Sequence, residues 1–266
     1  MSVNQGKLYD SQYDDAVFET QGLPDPKITN GKEIFGKKIL SLGCGMGTDL
    51  WWLSRDNDVF GLDLSQKAIL IARKHGLKAK VGDVTKKLPY KAQSFDIVVL
   101  KDILEHILDP MALLLEARRV VRSRGTIVVS LPNHFWWWFR IRILFGRNLL
   151  WKTLQHDHTK DQHEWDYMHI RFFTWVGLQD FIKTAGLKVG REFWDFGTLA
   201  HYSDPEMFYP VLKEKKKKSK SAKIFLNFIY PLYLIFDFFV PKQLRAYIVA
   251  INPGLLCSGF YLHLKK

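Results

Sequence analysis

The 266-residue chain is 47% apolar and 25% charged, a composition that can bury a full core in one α/β-sized unit and excludes a disordered or collagen-like polymer. Its two cysteines, Cys44 and Cys257, are too few for a disulfide framework or a cysteine-rich metal centre, and point to a reducing, cytoplasmic home. The net charge of +12 would suit nucleic acid, but Lys213–Lys223 holds seven lysines against one glutamate, half of that excess, and the remaining surface is only mildly basic.

Met1–Asp10 has no apolar stretch behind a basic region, so no secretory leader is expected. Lys38–Leu42 reads as a short buried strand and residues 47–55 as the helix after it, which places Gly43, Gly45 and Gly47 in the strand-to-helix turn. Glycine there permits positive φ and lets backbone amides approach a ligand, and the helix N-terminus adds exposed N–H donors. A second strand over 58–63 ends on Asp63, about twenty residues after the turn, where a carboxylate can accept hydrogen bonds from both ribose hydroxyls of a nucleotide. Ser65 caps a helix over 65–75 that Gly76 closes. Further strands fall at 78–82, 95–100 and 125–131, with helices at 110–122 and 174–185, the latter closed by Gly186. Strands at 187–196 and 258–264 complete an α/β pattern with a parallel, doubly wound sheet.

The glycine spacing is G-x-G-x-G rather than the G-x-G-x-x-G of dinucleotide sites. Ile39–Thr48 resembles motif I of the class I S-adenosylmethionine (SAM)-dependent methyltransferases, and Val81-Gly-Asp83-Val84, Ser94–Leu100 and Leu104-Glu-His-Ile-Leu-Asp-Pro110 continue the resemblance in order over residues 36–196. It implies a Rossmann-like seven-stranded sheet with helices on both faces and a final antiparallel hairpin. It also implies a division into an N-terminal segment 1–36 that can close over the cofactor, a SAM-binding core 37–196, an insertion 197–257 before the last strand, and that strand at 258–266. The cofactor residues it implies are Ser41, Gly43, Cys44, Gly45, Gly47, Asp63, Leu64, Asp83, Val84, Lys101 and His106, with Asp83 placed for the adenine amino group and His106 beside SAM. Ser41 departs from the acidic residue usual at that position, which leaves part of the methionyl end to other groups. Tyr9 and Tyr13 lie where relatives close over the cofactor, and a packing role is equally consistent with their position. Pro132–Arg147 and Met168–Thr174 also resemble MetW-type proteins, a branch that keeps open a non-catalytic partner of a biosynthetic enzyme.

Two segments are unusually apolar and aromatic: Asn133–Phe145, with three tryptophans and two arginines, and Ile224–Val240, which follows the lysines. The second is seventeen residues interrupted by Pro231 and Asp237, shorter than the roughly 20 residues of a spanning helix. Both suit either caps over the active site or an interfacial face, in which Trp136–Trp138, Lys213–Lys223 and Ile224–Val240 meet an anionic membrane surface and the acceptor is lipid-like. A cytoplasmic, peripheral location on the inner membrane face follows from the second reading.

Methyl transfer from a sulfonium is an in-line displacement, so positioning and removal of an acceptor proton are what the chain must supply. His134 and His169 are the candidate bases, with His106 in the cofactor pocket. His156, His158 and His163 with Asp157, Asp161 and Glu164 lack metal-ligand spacing, and no metal is expected. The reading is a SAM-dependent methyltransferase acting on an oxygen or carbon of a small-molecule or lipid-like acceptor. Nucleic acid is disfavoured by the absence of an Asn-Pro-Pro-Tyr or Asp-Pro-Pro-Tyr motif and by the apolar neighbour of the lysines.

Overall fold

The computed structural model describes residues 10, 13–15, 18–19, 24–146, 169–195 and 250–266. Tyr9, the 156–164 cluster, Lys213–Lys223 and Ile224–Val240 lie outside the described residues.

Seven strands form one sheet in the order β3-β2-β1-β4-β5-β7-β6. β1 (Lys38–Leu42), β2 (Asp58–Asp63), β3 (Lys78–Val81), β4 (Phe95–Lys101) and β5 (Val121–Pro132) are parallel, while β7 (Gly259–Lys265) runs antiparallel between β5 and β6 (Lys188–Asp195). The expected doubly wound sheet with a terminal antiparallel pair is therefore present. Ile39–Leu42 and Val98–Leu100 are almost wholly buried, as strands covered on both faces must be.

Helix ends follow their local chemistry. α1 (Gln66–Lys74) begins at Ser65, whose hydroxyl accepts the Ala68 N–H, and stops at Gly76 with φ +90°. α2 (Pro110–Val120) is capped by Asp109, which accepts the Ala112 N–H, and carries Pro110 in its first turn, where no N–H is needed. It buries Leu113, Leu114, Ala117 and Val120 against β4 and β5. α3 (Trp137–Leu144) follows β5, and α4 (Trp175–Thr184) is capped by Thr174 and ended by Gly186 with φ +67°.

Two expectations change in extent. Residues 47–55 form only a short 3-10 turn at Trp51–Arg55, because Leu50 ahead of it offers no side-chain acceptor for the first N–H groups. The fifth strand starts earlier than 125, at Val121, and reaches its partner through a bulge: Phe95 pairs with Val121 but Ile97 with Thr126. Gly125 sits in that bulge, where a Cβ would lie 2.8 Å from the Asp96 carbonyl oxygen.

Ile28, ahead of β1, is 1% exposed and packs with Ile39, Val59, Val99 and Val128, so residues near it contribute to the core itself. At the other end, α5 (Pro253–Leu256) and Cys257 pack beside α4, and Gly254 lies against Trp175. Asn133 joins these parts. Fully buried at the end of β5, it donates from Nδ2 to the carbonyls of Gly254 and Cys257 at 3.0 and 2.7 Å and accepts the Phe135 N–H on Oδ1 at 2.9 Å. Asn133→Ala leaves two carbonyls and an amide without these partners. It is expected to lower unfolding free energy by about 2–4 kcal/mol in urea titration, more than a lone hydrogen bond contributes.

Candidate active site at the carboxyl edge of the sheet

The chain moves outward through β1, β2 and β3 and then restarts on the other side of β1 with β4, so the strand order reverses between β1 and β4. A crevice opens above the carboxyl ends of the strands at such a reversal.

The turn after β1 has Gly43, Gly45 and Gly47 at φ +71°, +49° and +76°. The N–H groups of Gly43 and Cys44 both donate to the Leu62 carbonyl at 2.8 and 3.2 Å, which ties the turn to β2. Space adds to the conformational demand: a Cβ on Gly43 would meet Ile103 at 2.8 Å, and one on Gly47 would meet Leu77 at 2.6 Å. Cys44 points away from the crevice. Its Sγ occupies the room left by Gly61, where a Cβ would lie 2.6 Å from the sulfur, and burial pushes its thiol well above the ordinary value. Cys44 therefore offers a ligand its backbone and not a reactive thiolate.

Asp63 is 9% exposed, with Oδ2 accepting the Gly45 N–H at 2.8 Å and Oδ1 accepting the Ser65 N–H at 2.9 Å. Burial raises its carboxyl pKa, and the N–H groups of Ser65, Gly45 and Leu64 pull it back. Each carboxylate oxygen keeps further acceptor capacity for a hydroxyl. Leu64 is half-buried next to it. At the end of β3, Asp83 accepts on Oδ1 from the Thr85 N–H and hydroxyl at 2.8 and 2.6 Å, which holds the side chain in one orientation. Val84 is buried in the core beneath, and Ser41 is 4% exposed within β1.

Two described residues ahead of β1, Tyr13 and Asp10, lie against this region. Tyr13 sits beside Gly45, with its ring edge and hydroxyl 3.5 Å from where a Cβ would be. Asp10 accepts the Ser65 hydroxyl at 2.5 Å and the Lys67 N–H at 3.1 Å, and Phe18 stacks on His75 with ring centroids 3.5 Å apart.

Lys101, at the end of β4, ion-pairs with Asp25 at 3.1 Å and Asp49 at 2.9 Å. Burial opposes its charge, but the Asp49 and Asp25 carboxylates outweigh it and hold the ammonium above its ordinary range. Sequence spacing did not single out Asp25 or Asp49, since neither stands at a recognisable motif position. The next residue, Asp102, has φ +50°, an uncommon conformation for a residue with a side chain, and accepts the Ser130 hydroxyl at 2.9 Å.

Beyond it lies a histidine cluster. His134 and His169 meet with Nε2 of the first 2.8 Å from Nδ1 of the second, and the His106 ring approaches His169 edge-on at 4.6 Å. Of the two candidate bases, His134 is 2% exposed and lies behind His169, which is half-buried. Burial, reinforced by His106, lowers the pKa of His134 to about 4 and of His169 to about 3, so both are neutral near pH 7. Glu105, given no role from the sequence, is 1% exposed in the 3-10 turn Leu104–His106, and neither carboxylate oxygen has a hydrogen-bond partner among the described residues. Its backbone carbonyl accepts the N–H groups of Ile170 and Arg171 at 2.9 and 3.0 Å, which brings His169 to the turn from far along the chain.

Burial, with the Asp102 charge, pushes the Glu105 carboxyl from 4.5 to about 8. Between those values the folded chain retains a proton that the unfolded chain has released, so stability falls as pH rises through this window and levels off above it. His134 and His169, neutral in the fold but with an ordinary value of 6.5 once unfolded, act in the opposite direction up to about pH 7.5. The Glu105 contribution is therefore read as the difference between wild type and Glu105→Gln, which is expected to decline by up to about 1.4 kcal/mol per pH unit between about pH 5.5 and 7.5 in parallel urea titrations in chelated buffer.

Comparison with known proteins agrees with this geometry. Residues 40–129 match the family model described as a methyltransferase domain. A curated relative, the ubiquinone biosynthesis O-methyltransferase of Aliivibrio fischeri, is 28% identical over 142 residues, covering 50% of this chain and 61% of that protein. The chain thus spans less than two thirds of that relative's length. Among solved structures, a SAM-dependent methyltransferase from Methanosarcina mazei superposes with a TM-score of 0.55 at 16% identity, over 92% of this chain and 99% of that one. Phosphoethanolamine N-methyltransferase 2 of Haemonchus contortus, in complex with S-adenosyl-L-methionine, gives 0.58 at 15% identity, over 100% and 60%. The fold is that of the SAM-dependent methyltransferases of known structure, and residues 40–129 match the model of a methyltransferase domain.

Proposed function

We propose that this chain is a SAM-dependent methyltransferase that transfers a methyl group to a hydroxyl oxygen of a small-molecule or lipid-like acceptor. The observation that carries the reading is the glycine turn held to Asp63 at the strand-order reversal, within the segment that matches a methyltransferase domain. The relatives that are O-methyltransferases favour oxygen as the acceptor atom.

In this reading the Asp63 carboxylate accepts the ribose hydroxyls, the Gly43–Gly47 amides line the donor, and Oδ2 of Asp83 accepts the adenine amino group. Lys101 with Asp49 and Asp25 supplies charges of both signs, which suits the carboxylate and ammonium of the methionyl end and compensates for Ser41. Tyr13 and Asp10 belong to a covering segment that shields the sulfonium from water. The donor supplies an activated methyl group. The chain has to hold the acceptor oxygen in line and receive its proton, and His169 is the candidate nearer solvent, with His134 orienting it.

Asp63→Asn keeps the shape but loses the charge, and should weaken binding of S-adenosylhomocysteine by about tenfold or more in calorimetry, the lower end of what a charged hydrogen bond contributes. Incubation with methyl-labelled SAM and separate lipid, small-molecule and RNA fractions tests the acceptor class. Label in the lipid or small-molecule fraction is the expected outcome; saturable donor binding with no labelled product defeats the catalytic reading.

The lipid-like choice and a peripheral position on an anionic membrane rest on α3. Ile143, Leu144 and Phe145 are 49%, 80% and 75% exposed beside Arg140 and Arg142. Trp136, by contrast, is 7% exposed and packs inward, so it does not contribute to that face. No helix among the described residues is long and apolar enough to cross a membrane. Salt-sensitive flotation with anionic vesicles is expected, and it should weaken when the lysines of Lys213–Lys223 become glutamine; vesicles that leave the protein unbound exclude this location.

A further inference from the structure

We propose that Glu105, His106 and His169 form a binding site for one divalent transition-metal ion, with zinc the species that their donor set fits best. From the sequence no metal is expected, since the histidines and acids of 156–164 lack ligand spacing. The fold instead assembles two imidazoles and a carboxylate, one ligand atom of each lying within 4.8 Å of the others. Two histidines and one glutamate are the protein ligands of several catalytic zinc sites, which keep a further position open.

The independent observation is the state of Glu105. It is 1% exposed, and among the described residues only its own backbone N–H, which favours the charged form, faces the carboxylate. Ionised, it would be a buried charge with no partner from another residue; protonated, it would bury an O–H that no described group accepts. Both states are unfavourable. A dication beside it resolves the first. Asp102 adds negative potential at the same turn, and the cationic side chain nearest in sequence to His169, Arg171, directs Nε and Nη2 to the Leu108 carbonyl instead.

The surroundings also resemble the outer shell of a metal site. His169 Nδ1 is bonded to His134 Nε2 at 2.8 Å, so coordination would use Nε2 of His169 while the Nδ1–H donates to His134. Such a bond fixes the tautomer and ring direction of a ligating histidine. The Glu105 carbonyl, in turn, holds the backbone on the C-terminal side of His169 in place. Ligand atoms around a tetrahedral zinc stand about 3.4 Å apart, given bonds of roughly 2.1 Å. The closure required is therefore on the order of an ångström, within the reach of side-chain rotation.

An ion here would sit at the same sheet edge as the donor site. Under the methyl-transfer reading, on which this step alone rests, the acceptor hydroxyl takes the open position and ionises more readily. With the ion bound His169 is a ligand and no longer the base: the O–H bond breaks with the proton passing to solvent, an O–CH3 bond forms as the S–CH3 bond breaks, and the donor leaves as a neutral thioether.

The test is titration of zinc chloride into the chelator-treated full chain by calorimetry, with metal content measured after dialysis. One zinc per chain is expected, weakened by more than about 100-fold in Glu105→Gln and His169→Gln, and by about 10–100-fold in His134→Gln, which acts through its neighbour. Replacing His156, His158 and His163 together with alanine should leave the affinity unchanged. His169→Gln, at a half-buried position, keeps the test decisive should Glu105→Gln fail to fold. Absence of stoichiometric zinc in the wild type, or binding that survives loss of the triad or follows the 156–163 histidines, overturns the proposal. S-adenosylhomocysteine titrated into the same samples reports on the methyltransferase reading separately.

Discussion

The site depends on bringing backbone amides to the end of a buried strand without side chains in the way, while a carboxylate from the neighbouring strand holds them there. Asp63 does the holding, through Gly45 on one oxygen and Ser65 on the other. That pair of bonds joins the glycine turn to the first turn of α1, so the ligand-facing amides and the helix N-terminus share a single anchor. Other parts of the chain conform to it. Gly61 in β2 is small to house Cys44, Leu77 closes over Gly47, and Ile103 closes over Gly43. A change at any of these would be felt at the turn because well-packed interiors transmit small shifts rather than absorb them.

The antiparallel half of the sheet serves the other side of the crevice. By inserting β7 between β5 and β6, the chain returns Cys257 and α5 to the end of β5, where Asn133 ties them down. His134 is the next residue, so its burial and direction follow from that tie. His169 arrives from a different segment, secured by the two amides that bond the Glu105 carbonyl. The histidine cluster is thus assembled from three distant stretches of chain by hydrogen bonds to backbone carbonyls.

The two sides of the crevice differ in electrical character. Around Lys101 the charges are paired, with Asp25 and Asp49 favouring the ammonium form despite its burial. Around Glu105 the environment favours neutrality: burial lowers the pKa of both His134 and His169 and raises that of the acid. A sulfonium donor with a zwitterionic methionyl end suits the first environment. A proton acceptor or a metal-ligating imidazole must be neutral, and suits the second.

By itself the sequence determined the parallel α/β pattern, the helix cap at Ser65, the glycine stops at Gly76 and Gly186, and the donor motif from Gly43 to Asp63. These features are legible because each is set by nearest neighbours along the chain: strand periodicity, a capping hydroxyl, a residue that tolerates positive φ. The bulge at Gly125 and the shortened turn at Trp51–Arg55 were not legible, since register against β4 and the lack of a capping acceptor decide them. Likewise the order of the two histidines, the pairing of Lys101 with Asp25 and Asp49, and the stranded carboxylate of Glu105 belong to the tertiary structure. Local spacing places a side chain on an element, but only the packing of distant elements decides whether it faces solvent, a partner, or a dry interior where its charge is costly.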